Sequence, residues 1–504
     1  MQELRGFVAW IVVIFTTFTA FTTHASPTSL QSSNTKYMVC YYGSWAVYRP
    51  GRGKFDVENI DPQICTHLIY GFVGLSPSNE ILVLDPYNDE EENWGRGAMK
   101  RFVNLKSQNP GLKALVAIGG WNEGSEKYSK MAMDPAKRRT FINSVIPFLQ
   151  KHGFDGLDLD WEYPANREGS HPDDKQNFVH LVRELRQEFD KYGYLLTAAV
   201  SAGEFTIRTA YDIPALARDF DFINIMAYDM HGAWETFTGH HAPLKANPNI
   251  DFEDNLLLNL RHAVNFWMEQ GAPANKLVLG MGTYGRGFTL DNSAVNGLYA
   301  PASNPITAGP YTREAGTWGF NEICERFVAE PGQWTVVQDL YYEAPYAYKD
   351  RNWVGYDNVD SMKRKAEFAL ELGLAGGMVW SLETDDFTGH CYGEPFILIK
   401  TIARTLNGGV IPTPPPPPPT TTTTPDPNAS TTTTTTPAPP PPDGVCRFEG
   451  FNRDPEAGPC ATTFYWCLSN GSGGWTIYPR TCAPGTAFHE DIQACTHPEL
   501  VPGC

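Results

Sequence analysis

The chain has 504 residues, 42% of them hydrophobic and 19% charged, enough for one large domain and a smaller one rather than a single simple core. A formal charge of -18 argues against nucleic acid or an anionic membrane as partner and suits a neutral or cationic ligand. Thirteen Trp and 23 Tyr supply many flat apolar faces, which pack cores but also stack on the C–H faces of sugars.

The first 25 residues read as a secretory signal peptide: Arg5, an apolar run from Phe7 to Phe21, then Thr23–His24–Ala25 before the cleavage point. Export permits disulfides, and the ten Cys divide into Cys40, Cys65, Cys324 and Cys391 in the long first part and six between Cys446 and Cys504. Residues 26–409 alternate short apolar runs with longer mixed segments. Strands are predicted over 37–42, 67–74, 113–119, 153–162, 195–201, 222–228, 277–284 and 376–382. Apolar residues at helical spacing predict helices over 137–149, 174–189, 252–270 and 359–372. Eight strands with helical crossovers fit an α/β fold, a (β/α)8 TIM barrel, better than an open doubly wound sheet. The seventh crossover is too long, and residues at about 288–353 are expected to form a small α+β insertion walling a cleft.

The fourth predicted strand carries the chemistry. Asp158, Asp160 and Glu162 stand at i, i+2 and i+4, interleaved with Leu157, Leu159 and Trp161. In a strand the carboxylates share one face, about 6.6 Å apart along the chain. Like charges this close push at least one pKa up and leave a protonated acid near neutral pH. The same residues could be buried scaffolding, but burying several carboxylates is costly. They could also offer oxygen ligands to a hard cation. Trp161 and the strand-end aromatics suit a carbohydrate better than a phosphate, and no phosphate loop, HExxH or GxSxG is present. No metal and no cofactor are expected. Tyr228 and Asp229 end the sixth strand, and Trp380 lies near the end of the eighth, where a barrel places its active site.

The run from Phe154 to Tyr163 resembles the DGxDxDWE signature of family 18 glycoside hydrolases, the chitinase family. The resemblance spans residues 36–407 and extends to Lys113–Trp121, Met226–Asp229, Tyr284–Phe288 and Gly377–Trp380. One departure is Ala117, where the third-strand motif often has Ser. The resemblance implies retaining hydrolysis of β-1,4-linked N-acetylglucosamine polymers with help from the substrate's own acetamido group. It implies Glu162 as general acid and base, Asp160 and Asp158 as its support, and Tyr228 on the acetamido carbonyl. Substrate contacts are implied for Trp45, Trp121, Tyr163, Asp229, Trp234, Arg286 and Trp380, and disulfides for Cys40–Cys65 and Cys324–Cys391. Some members of the family are catalytically dead lectins, typically with the acid replaced. Here Glu162 and both Asp residues remain, which favours an enzyme.

Residues 410–443 are a Pro- and Thr-rich spacer, extended and suited to O-glycosylation, with an N-glycosylation triplet at Asn428. In residues 444–504, Cys446, Cys460, Cys467, Cys482, Cys495 and Cys504 predict three disulfides in a module too small to do without them, and spacing alone leaves the pairing open. The segment resembles a peritrophin-A-type chitin-binding module, family 14. That resemblance implies a small disulfide-rich β-type fold with pairs Cys446–Cys467, Cys460–Cys504 and Cys482–Cys495. Tyr465, Trp466, Trp475 and Tyr478 are candidates for its stacking surface, and Asn470 begins a second glycosylation triplet. The whole chain is expected to be a secreted, extracellular monomer acting on chitin and chitooligosaccharides, with no membrane partner after signal cleavage.

Overall fold

The computed structural model describes residues 35–410 and, further on, 450–453, 460–469, 475–482, 487–489 and 494–496. The expected signal peptide, the spacer, Asn428 and Asn470 lie outside the described residues. Eight strands form one ring: β1 (Tyr37–Gly43), β2 (His67–Leu75), β3 (Lys113–Gly119), β4 (Gly156–Asp160), β5 (Leu195–Ser201), β6 (Phe222–Met226), β7 (Leu277–Gly282) and β8 (Gly376–Trp380). Each pairs in parallel with the next, and β8 pairs with β1, so the sheet closes. This is the expected (β/α)8 barrel. Among the described residues no helix is long and apolar enough to cross a membrane.

The alternation along the strands sorts side chains into two cores. Leu157, Leu159 and Trp161 point outward into the layer shared with the helices. Val39, Tyr41, Ile69, Leu115, Ala117, Phe222, Val278 and Met378 fill the barrel itself. Crossover helices run over Pro135–His152, Asp174–Phe189 and Val359–Glu371, close to the predicted ranges. The first starts with Asp134 accepting from the Ala136 and Lys137 amides and with Pro135 inside the first turn, and it stops at Gly153 in the left-handed conformation. The helix predicted over 252–270 begins only at Leu260. Asn259 caps it by accepting from the His262 amide, and Glu253–Leu257 is a separate 3-10 turn.

The seventh strand is also shorter than predicted. It stops at Gly282, and Thr283 donates its hydroxyl to the Ser381 carbonyl (2.6 Å), fastening this corner to the end of β8. Tyr284–Thr289 then opens the insertion rather than ending the barrel strand. It pairs antiparallel with Thr317–Gly319 and Asn352–Gly355, and the sheet continues through Ala344–Lys349 to Thr335–Asp339, with helix Phe320–Ala329 beside it. The insertion therefore runs over 284–355, wider than 288–353, and it takes Arg286 with it.

Cys40 is bonded to Cys65, tying β1 to the start of β2, and Cys324 to Cys391, pinning the insertion helix to the segment after β8. In the C-terminal part, Gly450–Arg453, Thr463–Ser469 and Trp475–Thr481 form an antiparallel three-stranded sheet, and Ala487–His489 pairs with Ala494–Thr496. Cys460 and Cys482 each take part in a disulfide. The side chains of Trp466, Trp475 and Tyr478, and the expected partners Cys446, Cys467, Cys495 and Cys504, lie outside the description.

Candidate active site

The carboxylate ladder sits inside and just above the barrel. Asp158 is fully buried in β4, level with Ala117 on β3 and Thr197 on β5. Its Oδ2 accepts from the Tyr41 hydroxyl on β1 (2.6 Å) and its Oδ1 from the Thr197 hydroxyl (2.5 Å), with Asn224 on β6 donating at 3.4 Å. Burial pushes its pKa up to about 6, and these three donors hold it from going higher. Ala117, level with Asp158, offers no hydroxyl, and the hydrogen bonds to the carboxylate come from Tyr41, Thr197 and Asn224. Thr197 and Asn224 had a readable signal: Asn224 is the lone polar residue of β6 and Thr197 the polar residue within the apolar run of β5, both at inward positions.

Asp160 ends β4 and is also buried, with its Oδ1 lacking a hydrogen-bond partner. Burial, then the charges of Glu162 and Asp158, raise its pKa well above the carboxylate range. β3 makes room for it: Gly119 has φ +120°, and a Cβ there would lie 2.1 Å from the Asp160 carbonyl. Glu162 lies two residues beyond the strand, half-buried at the mouth. Burial raises its pKa to about 7, while Tyr163 and Arg167 pull the other way. The ladder thus holds two buried carboxyls below one accessible acid whose raised pKa keeps a large protonated fraction up to about neutrality.

The other predicted residues gather around it. Tyr163, Tyr228 and Trp380 pack on the barrel core at the mouth. The Trp380 ring stacks on Phe72 (centroids 5.6 Å) and lies 5.5 Å from Tyr41 and 6.1 Å from Trp45, and Trp45 stacks on Phe72 in turn (6.0 Å). Phe72 escaped the sequence reading because a bulge between Gly71 and Val73 breaks the register with β3. It sends a residue that would otherwise face the helices into the barrel mouth. Among the described residues three peptide bonds are cis: Gly71–Phe72 at the bulge within β2, Glu162–Tyr163 just beyond β4, and Trp380–Ser381 at the end of β8.

Asp229 and Arg286 meet each other. The guanidinium donates through Nε and Nη2 to the two carboxylate oxygens, both at 2.7 Å, and Tyr284 donates to the same carboxylate at 2.7 Å. Burial alone would raise the Asp229 pKa, but the bidentate Arg286 outweighs it and holds the group well below the usual range. Arg286 also donates to Thr317 and lies 5.5 Å from the Trp234 ring, so this pair joins the β6 loop to the insertion. Trp45, Trp121 and Trp234 leave 41%, 60% and 60% of their surface exposed, flat faces open to a ligand. Trp121 is backed by the Arg167 guanidinium 3.8 Å from its ring.

A closed barrel with an acid ladder at its C-terminal mouth and exposed aromatic platforms around it is the arrangement of a carbohydrate-directed acid–base site. The chain belongs to the glycosyl hydrolases family 18, whose pattern it matches over residues 37–385. Residues 446–504 match the chitin binding peritrophin-A domain. The chain is 41% identical over 401 residues to an endochitinase of Manduca sexta, covering 77% of this chain and 71% of that protein. It is 48% identical to the Group IV chitinase of Ostrinia furnacalis, solved in complex with allosamidin, with a TM-score of 0.72 over 74% of this chain and 99% of that one. It is 38% identical to human YKL-39, a pseudo-chitinase with retained chitooligosaccharide binding, at a TM-score of 0.68 over 74% and 99%.

Proposed function

We propose that this chain is a secreted chitinase that hydrolyses β-1,4 N-acetylglucosaminide linkages with retention, using the substrate's acetamido group as nucleophile. The observation that carries this reading is the intact ladder, with Glu162 accessible and its pKa raised to about 7 above the buried Asp158 and Asp160. Glu162 gives its proton to the glycosidic oxygen as the bond to the leaving sugar breaks. The acetamido oxygen of the remaining sugar attacks its own anomeric carbon, forming an oxazolinium ion. Asp160 passes its proton to Asp158 and, ionised, accepts the acetamido N–H, a role that suits its unpartnered buried Oδ1 and stabilises the positive charge of the ring. Asp158, braced by Tyr41 and Thr197, takes that proton, so the pair keeps one negative charge beneath the intermediate. Tyr228 binds the acetamido carbonyl, and Trp380 floors the sugar ring. Glu162, now ionised, draws a proton from the water that opens the oxazolinium ion at the anomeric carbon.

The likeness to YKL-39 favours a second reading, a binding protein without turnover. The presence of Glu162 with both Asp residues favours the enzyme. Replacing Glu162 by Gln is expected to lower turnover of chitooligosaccharides about a thousandfold while leaving their affinity within about threefold. Unchanged turnover in the variant rejects Glu162 as the acid, and absence of turnover in the parent supports the binding-only reading.

A further inference from the structure

We infer that Arg167 is a positioning residue that couples the Trp121 sugar platform to the backbone of the acid Glu162. This inference rests on the chitinase reading above and adds a residue to it. Arg167 lies in the loop after β4, five residues beyond Glu162. Its Nη1 donates to two backbone carbonyls, that of Trp121 at 2.6 Å and that of Glu162 at 3.2 Å. Its guanidinium also covers one face of the Trp121 indole, 3.8 Å from the ring centroid.

One planar cation therefore ties the loop after β3 to the loop after β4. It fixes the indole that faces the ligand and the peptide that carries the acid in the same contact. A freely rotating Trp with 60% of its surface in water would lose rotamer freedom on binding a sugar; one already seated on a guanidinium loses less. The neighbouring Ser170 accepts from the Arg167 amide and donates back to its carbonyl, so the loop itself is folded around this residue. Arginine suits the position because a fork can donate in its plane while its face stacks. The Lys ammonium has no such face.

The same cation acts on the charge of the acid. The groups that face Glu162 are Asp160 below it, Tyr163 beside it, Arg167, and Tyr211, Tyr228 and Asp229 from neighbouring elements. Among these Arg167 is the cation that favours the ionised form. Catalysis needs Glu162 protonated, so activity falls as pH rises through its pKa. Removing the positive charge raises that pKa and carries the basic limb of the profile to higher pH.

Three full-length variants separate the two effects. Arg167→Met keeps length but loses charge and fork, Arg167→Lys restores charge alone, and Trp121→Ala removes the platform. The measurements are pH profiles of kcat/KM on N-acetylchitohexaose, and binding of the same hexasaccharide in the Glu162→Gln background, which is independent of turnover. Arg167→Met is expected to weaken binding about three- to tenfold and move the basic limb upward, the latter shift shrinking at high salt. Arg167→Lys is expected to return the basic limb toward the parent while leaving binding weakened. Arg167→Met in the Trp121→Ala chain is expected to weaken binding no further. A basic limb that stays put with unchanged binding overturns the inference. So does a uniform loss of kcat in both Arg167 variants with neither signature, which marks a merely structural role. If the parent binds the hexasaccharide without hydrolysing it, the chitinase reading fails, and the binding arm still decides the coupling of Arg167 to Trp121.

Discussion

Tyr41 and Thr197 approach the Asp158 carboxylate from β1 and β5, and their hydroxyls are the reason a fully buried acid has a pKa of only about 6. Because that value exceeds the ordinary 3.8, the native state keeps its proton in a window where the unfolded chain has lost it. Stability therefore drops as pH rises from about 4 through about 6. Tyr41→Phe removes one donor to the charged form and extends that window upward. The substitution is expected to cost about 1–3 kcal/mol at pH 8, where Asp158 is ionised, and less at pH 5. Urea denaturation at the two pH values checks this, and an equal loss at both would mean that the hydroxyl contributes nothing to the carboxylate. At this scale the three acids were legible because a two-residue period with apolar residues between them needs no tertiary information. Their donors were only partly so. A lone Thr or Asn in an apolar strand is visible, but which carboxylate it meets depends on strand register.

The end of β3 shows how an element positions chemistry. Gly119 and Gly120 both have positive φ, and the Gly120 amide donates to the Asp160 carbonyl at 2.8 Å. A Cβ at Gly119 would occupy the place of that carbonyl. Gly119→Ala is thus expected to lose more than about 2 kcal/mol of stability through the strained backbone and to displace Asp160, lowering activity more than binding. Chemical denaturation together with kcat and KM on a short oligosaccharide measures both. Wild-type stability in the variant would show that the two strand ends can part without penalty. The elements read from sequence were the long periodic ones. Two of the misplaced boundaries are set by side-chain bonds that a hydrophobic pattern does not show: Asn259 caps the His262 amide three residues on, and Thr283 is fastened to Ser381, 98 residues away. The bulge at Phe72 is the same kind of event inside a strand, where one extra residue inverts the inward–outward parity.

The whole molecule joins a barrel, an insertion pinned by Cys324–Cys391, and a small disulfide-bonded β module. If the module holds the enzyme on insoluble chitin, it raises the local concentration of substrate without touching the chemistry. Truncation after Gly409 is then expected to leave turnover of short soluble oligosaccharides within about twofold and to lower release from crystalline chitin about tenfold. A product time-course on both substrates tests this division, and an equal loss on both would reject it. By itself the sequence determined the order of strands and helices, the ladder Asp158–Asp160–Glu162, the family membership later confirmed over residues 37–385, and the grouping of the cysteines. Those features are written in near neighbours, through periodicity, spacing and composition. Only the tertiary structure decided that Asp229 is held by Arg286, that Phe72 joins Trp45 and Trp380, and that Arg167 sits between Trp121 and Glu162. Each of these brings together separate segments whose meeting depends on how the barrel closes, where a strand bulges and which loop folds back, and no local pattern encodes that geometry.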